Sequence, residues 1–365
     1  MMDIEHNQRI AFTLSADETQ IAYALSGEGP PIVRAGTWLT HIQHDWESPI
    51  WSHWFRLMSL NHTLVRYDPR GCGLSQRETS DISLERWVDD LEAVVDKLGL
   101  DTFPLFGMSQ GAAVAILYCL RHPERVSQLV LYAPLVTGWA GSKSPKALRW
   151  SAMENLVESG WGEENLAFPS MFSQLFVPGA TPEHIRWYAN TQQKSTSKTS
   201  AKRIMKAMSE IRLFSRLEEL NVPALVVQVA GDQVISADSA KGITAEIRDC
   251  QFESIDSDNH ILLEDEPGWR EFSRVFQRYF PGEDEPNSSE EEKTLDFATN
   301  TKLALLSKRE LEVVSKLALG LSNRDIAEAL FISEKTVRNH LSTIFSKLDV
   351  SSRSQALLLT QGFNL

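Results

Sequence analysis

The first 280 residues alternate between two kinds of segment, and that rhythm limits the architecture more than any other feature of the chain. Short apolar runs, several of them β-branched, recur at Ile21–Leu25, Pro31–Val33, Thr63–Tyr67, Phe103–Phe106, Leu129–Tyr132 and Ala224–Val229. Helical stretches lie at Leu84–Leu98, Gly111–Arg121 and Ala237–Ile247, with a last one at Pro267–Phe280. Strands this nearly continuously apolar are covered on both faces, so the pattern predicts a mainly parallel sheet between layers of helices. From about Thr137 to Leu220 the rhythm breaks. No clear strand is visible there, but helical stretches carry Trp139, Trp150, Trp161, Phe168, Phe172, Phe176, Trp187 and Tyr188. The interval reads as an inserted helical lid.

Gly107-Met108-Ser109-Gln110-Gly111 stands between an apolar run and a helix. Its two glycines permit a sharp strand-to-helix turn that lifts the serine above the sheet. A serine hydroxyl is a poor nucleophile alone; it needs a base and a group that orients the base. Asp232 follows the run at Ala224–Val229, and His260 follows Phe252–Ile255. Asp256 and Asp258 compete for the acid role, but both lie just before His260 on its own loop.

The order Ser109, Asp232, His260, with the lid between the first two, resembles the α/β-hydrolases. Tyr67–Ser75 (YDPRGCGLS) matches that family's turn after its fourth strand, where a structural role is expected. Ala35-Gly36-Thr37-Trp38 occupies the oxyanion loop, with Ala-Gly where the family commonly has His-Gly. The stretch AGTWLTHIQHDWESPIW is similar to α/β-hydrolase domains fused to signalling outputs such as nucleotide cyclases. The likeness covers about residues 8–280. It implies Ser109, Asp232 and His260 as catalytic residues, with the backbone N–H groups of Trp38 and Gln110 as the oxyanion hole. Trp38 and Met108 would line the ligand pocket, and the aromatic lid implies an apolar ligand. Trp46, Trp51 and Trp54 are expected to be core residues.

Between Leu306 and Leu359 the chain reads as four short helices. Ser307 and Glu310, Ser322 and Asp325, and Ser352 and Gln355 have capping-box spacing; Ser333 can cap the third helix, and Gly320 stops the first. On the third helix Val337, Leu341, Ile344 and Leu348 share one face, expected to pack on Leu311, Val314, Leu317, Ile326 and Leu330. Lys335, Arg338, Asn339 and Ser342 share another. That face suits a helix entering a major groove, with cations for phosphate and amide or hydroxyl groups for base edges. A plain bundle with a solvated charged face would have the same helix pattern. The segments LSKRE, GLSNRDIA and ISEKTVRNHL separate the two, because the whole stretch resembles the LuxR-type helix-turn-helix module. The resemblance implies DNA contacts from Lys335, Thr336, Arg338, Asn339 and Ser342, and a homodimer formed through the last helix, about Ser352 to Thr360.

The net charge is −13, unevenly spread. From Asn300 onward there are nine Lys and Arg against six Asp and Glu; before it, 27 against 43. The acidic body is not expected to touch DNA. Residues 281–300, with seven acids, two prolines and one lysine, read as a linker, or else as a solvated acidic helix from Ser288 to Asp296. Cys72, Cys119 and Cys250 are scattered, suggesting neither a disulfide framework nor a metal site. No apolar run reaches membrane-spanning length, and the opening MMDIEHNQRIAF lacks the order of a signal peptide.

These readings predict an α/β-hydrolase fold (mainly parallel sheet with helical lid, residues 1–280), a linker (281–300), and a small all-α four-helix helix-turn-helix domain (301–365). The expected function is a cytoplasmic regulator that binds an inverted-repeat operator as a homodimer. It would respond to an apolar ester, lactone or acyl compound, with no cofactor, metal or membrane involved. The alternative is a serine esterase or lactonase with subsidiary DNA binding.

Overall fold

The computed structural model describes residues 8–161, 167–281, 308–318, 321–330 and 332–348. The chain divides into two compact units, Met1–Glu283 and Asp284–Leu365. The larger unit is built on eight strands: β1 (Arg9–Leu14), β2 (Gln20–Ser26), β3 (Pro31–Arg34), β4 (Thr63–Tyr67), β5 (Phe103–Met108), β6 (Val126–Tyr132), β7 (Ala224–Val229) and β8 (Cys250–Ile255). Their order is β1-β2-β4-β3-β5-β6-β7-β8. β2 pairs antiparallel with β1 and β4, and every other pairing is parallel. All six residues of β7 are buried, as a parallel strand covered on both faces requires. β1 lies outside the apolar runs that mark the other strands. It is an edge strand with Phe12 and Leu14 exposed and no residue fully buried, and its apolar run, Ile10–Phe12, is only three residues long.

Helices α1 (Ile42–Asp45) and α2 (Ser52–Met58) fill the β3–β4 connection; α3 (Leu84–Lys97) and α4 (Gln110–Arg121) flank β5; α9 (Ala237–Glu246) joins β7 to β8; α10 (Pro267–Tyr279) follows β8. Trp54 is fully buried against Tyr132, Trp269 and Phe272, and its indole N–H donates to the carbonyl of Leu262 (3.0 Å). Trp51 is buried too; Trp46, half-buried, stacks on Phe55.

The lid comprises α5 (Pro145–Gly160), α6 (Ala167–Phe176), α7 (Pro182–Ser195) and α8 (Lys198–Ser209). Ser144 and Thr181 each cap a helix whose first residue is proline, the arrangement that starts a helix most sharply. The lid leaves and rejoins the sheet through a short antiparallel stem. Gly138 N–H donates to Ile211 O and Leu213 N–H to Val136 O, both at 2.9 Å. A Cβ at Gly138 would lie 2.3 Å from the carbonyl oxygens of Met208 and Ser209, so the stem closes only around glycine.

The turn after β4 is structural, as expected. Arg70 is wholly buried and bridges Asp90 (2.7 Å) and Asp17 (2.6 Å), tying α3 to the β1–β2 turn. The Asp68 carboxylate accepts from the N–H groups of Ile42 (3.0 Å) and Leu74 (2.8 Å). Among the described residues no helix is long and apolar enough to cross a membrane, and no group of three or more His, Cys, Asp or Glu could hold a metal ion.

In the smaller unit three helices are described: Lys308–Ala318, Asn323–Ala329 and Glu334–Leu348. Val313, Val314 and Leu317 of the first, Ile326 and Ala327 of the second, and Val337, Leu341 and Ile344 of the third form their common core, with Leu330 packed against it. Ser322 and Asp325 bond reciprocally, N–H to Oδ2 at 3.2 Å and N–H to Oγ at 3.3 Å, which is a capping box. Ser333 caps the third helix by accepting from Thr336 N–H (3.1 Å). Lys347 joins Glu310 (2.7 Å), fastening the third helix to the first. The Ser307 cap, Gly320, the expected fourth helix with Ser352 and Gln355, and residues 282–300 of the linker lie outside the described residues. So do the side chains of Leu311, Ser342 and Leu348.

Removing one partner of a buried ion pair leaves an uncompensated charge, at a typical cost of about 3–5 kcal/mol. Asp17 would still face Arg70, so Asp90→Ala is expected to destabilise the larger unit by about 3 kcal/mol. Urea denaturation followed by tryptophan fluorescence measures it; a loss under about 1 kcal/mol would mean the pair contributes as little as an exposed one.

Candidate active site and DNA-binding helix

Ser109 sits between β5 and α4 with φ +53°, a conformation non-glycine residues adopt only under constraint. The constraint is visible. Its N–H donates to Tyr132 O (2.9 Å), and its carbonyl accepts from Ala112 (3.1 Å) and Leu135 (3.0 Å). A Cβ on Gly107 would lie 2.7 Å from Ala112 Cα and 2.8 Å from Ala115 Cβ. A Cβ on Gly111 would lie 3.0 Å from Gly36 O and 3.1 Å from Ala35 O. Both glycines of the motif are therefore needed for packing, one against α4 and one against the loop after β3. Gln110 opens α4, so its N–H belongs to the first helical turn, which has no intrahelical acceptor. Trp38 lies on the loop after β3, buried, its ring against Phe172 (5.1 Å, edge-on) and Trp161 (6.3 Å) of the lid unit.

Asp232 and His260 meet across the ends of β7 and β8. His260 Nδ1 is 2.7 Å from Asp232 Oδ2, both side chains being buried. Asp232 Oδ1 accepts from the N–H groups of Val234 (2.7 Å) and Ile235 (3.1 Å), which fixes the carboxylate and turns its other oxygen to the imidazole. With Nδ1–H held by the carboxylate, Nε2 is left as the acceptor; it has no hydrogen-bond partner among the described residues. Ser109, His260, Trp38 and Met108 line one small cavity of about 10 Å³. Asp258 is elsewhere, packed on Gly231, where a Cβ would fall 2.0 Å from its Oδ1. A cavity of about 300 Å³ adjoins, lined by Ser109, Trp38, Trp139, Trp150, Phe176 and Met208 among others. Met108 does not reach it.

On the third helix of the smaller unit, Lys335, Arg338 and Asn339 are exposed; Thr336 is half-buried, its hydroxyl 2.8 Å from that of Ser333. The cationic and amide groups thus share a free face opposite the buried Val337, Leu341 and Ile344.

The family described as "Serine aminopeptidase, S33" matches residues 54–267, more than half of the chain. The chain belongs to that family. The family described as "Bacterial regulatory proteins, luxR family" matches residues 304–360, so a LuxR-type helix-turn-helix follows the α/β-hydrolase. The AB hydrolase superfamily protein YisY of Bacillus subtilis is 25% identical over 239 residues, 64% of this chain and 86% of that protein. The uncharacterized transcriptional regulatory protein YhcZ of the same organism is 50% identical over 60 residues, 16% of this chain. The match spans only 28% of YhcZ's length. A hydrolase from Pseudomonas aeruginosa has the same fold, with TM-score 0.63 at 20% identity over 75% of this chain and 99% of that one.

Hydrolase-fold proteins differ in chemistry through their lids and loops, and those are where the sequence said least about this S33-family member. Leu135 and Val136 after β6, Val234 and Ile235 after β7, and Lys146 of α5 all line the larger cavity. None belongs to a motif, and only the aromatic content of residues 137–220 signalled the wall they complete. Gly107→Ala is expected to destabilise this hydrolase unit by about 1–3 kcal/mol, the usual cost of overpacking. Chemical denaturation checks it; unchanged stability would mean that β5 and α4 can separate without loss.

Proposed function

We propose that the chain is a transcription regulator whose α/β-hydrolase domain holds a small ester, lactone or acyl compound beneath its lid, and that occupancy alters DNA binding. The observation that carries this reading is a paired Asp232 and His260 with Ser109 beside a 300 Å³ aromatic cavity, on a chain that also has a LuxR-type module. The module acts as a homodimer on an inverted repeat. Residues 301–365 serve as the DNA-binding domain and 281–300 as its tether.

Ser109 Oγ attacks the ligand carbonyl as its proton passes to His260 Nε2; Asp232 stabilises the imidazolium; the N–H groups of Gln110 and Trp38 receive the oxyanion. In this reading the intact ligand is the signal and cleavage ends it. The alternative, an esterase or lactonase with subsidiary DNA binding, rests on the same residues. It differs in one outcome. For a regulator, Ser109→Ala retains and prolongs the transcriptional response to ligand; for an enzyme of metabolism it abolishes the function altogether.

A serine-reactive alkyl phosphonate is expected to label wild-type protein at Ser109, with no labelling of Ser109→Ala and much slower labelling of His260→Ala. Intact-mass kinetics measures this, and equal rates for wild type and His260→Ala would overturn the assembled triad.

For the DNA-facing helix, Lys335→Ala and Arg338→Ala should each weaken operator binding by about 1–3 kcal/mol where the side chain reads a base. A side chain reading only phosphate would instead lower the salt slope by about one, uniformly across sequences. Fluorescence anisotropy on selected inverted repeats separates the two, and an unchanged affinity in the double variant would remove this face from the interface.

A further inference from the structure

One feature of the larger cavity does not suit a wholly apolar ligand. Lys146, in the first turn of α5, lines the same cavity as Ser109, Trp38, Trp139 and Trp150. It is partly buried and forms no hydrogen bond or ion pair with any described residue. Two charged groups act on it. The Asp232 carboxylate favours its protonation and Arg149 opposes it, while burial, the largest effect, pulls it below the usual lysine range. Asp232 forms no ion pair with it and is engaged elsewhere: Oδ1 accepts from two backbone N–H groups, and Oδ2 faces His260 and, at 3.5 Å, the Gln228 amide. Arg149, meanwhile, donates to Gln233 O (3.1 Å).

An ammonium drawn out of water without a counter-ion is unfavourable unless something supplies the opposite charge. Lys146 lines the cavity, so a compound held there can supply that charge. We infer that the compound held under the lid carries, besides the carbonyl group presented to Ser109, a carboxylate that pairs with Lys146. One unpaired cation matches one negative charge, which favours a carboxylate over a doubly charged phosphate. The aromatic wall takes the apolar stretch between the two groups. The occupant is then an acid–ester or acid–lactone rather than a neutral ester. This rests on the ligand-binding reading given above and adds the ligand's charge to it.

The test uses the full chain carrying Ser109→Ala, so that no probe is consumed. Monomethyl adipate and monomethyl suberate are compared with the corresponding dimethyl esters, which lack the charge. Binding is followed by tryptophan fluorescence, since three tryptophans line the cavity. The monoesters are expected to bind about tenfold or more tightly than the diesters, as a charge-assisted hydrogen bond in a partly dry wall should give. Adding Lys146→Met should reduce the monoesters to the level of the diesters, and Lys146→Arg should restore the preference. Thermal unfolding confirms that each variant is folded. Equal binding of both probe types, or a preference that survives Lys146→Met, would overturn the inference while leaving an ester-binding pocket in place. If neither type binds at millimolar concentration, both the inference and the pocket reading fall. A charge preference that depends on Lys146 with no change in DNA affinity supports the inference and counts against the sensor role.

Discussion

The backbone of Ser109 is held at φ +53°, at a cost of roughly 1–3 kcal/mol for a residue with a side chain. The site exists because surrounding packing outweighs that cost. Gly107 lets α4 press on β5, Gly111 lets the same helix press on the loop that carries Trp38, and Ser109 is bonded through both N–H and C=O to β6 and the loop after it. The serine is thereby fixed relative to three separate elements. Asp232 and His260 are fixed in the same fashion, by backbone N–H groups on one side and by the Asn259–Gly179 contact (2.8 Å) on the other.

The lid touches both halves of that site through one helical turn. Phe172 and Phe176 lie four residues apart on α6 and stack on one another (5.2 Å). Phe172 meets Trp38, and Phe176 meets the His260 imidazole edge-on (5.4 Å). Residues four apart on a helix share a face, so any displacement of α6 moves both contacts together. In the proposed function, a ligand in the cavity beside Phe176 would bear on the Trp38 loop and the histidine loop at once. A ligand shifts a conformational equilibrium only by its differential affinity for the two arrangements, and this helix is where such a difference can arise.

Much of the larger unit was legible because its strands are buried on both faces. Thr63–Tyr67 and Ala224–Val229 match β4 and β7 residue for residue, since each is a short, mostly apolar and β-branched run with its long polar side chain, Arg66 or Gln228, buried as well. β1 carries a weaker signal, because an edge strand exposed or half-buried along its length needs little apolar surface. Turn glycines and chain order singled out Ser109, Asp232 and His260, and the carboxylate that stands beside the His260 imidazole is that of Asp232, not Asp256 or Asp258. Lys146 was not legible. Nothing local marks it, and its meaning comes from a cavity formed by residues more than 90 positions apart, such as Ser144 and Ser236. In the helix-turn-helix unit the Ser322 and Ser333 caps were readable three residues ahead, because capping depends on local spacing alone.

The central claim is that the site under the lid and the DNA-binding module are coupled. It can be tested without knowing the natural ligand. DNA fragments bound by the full chain are selected, and affinity for the best of them is measured before and after an alkyl phosphonate has filled the cavity through Ser109. The account predicts a several-fold change in operator affinity on labelling, absent in Ser109→Ala treated identically. Complete labelling at Ser109 with unaltered operator affinity and oligomeric state would contradict it.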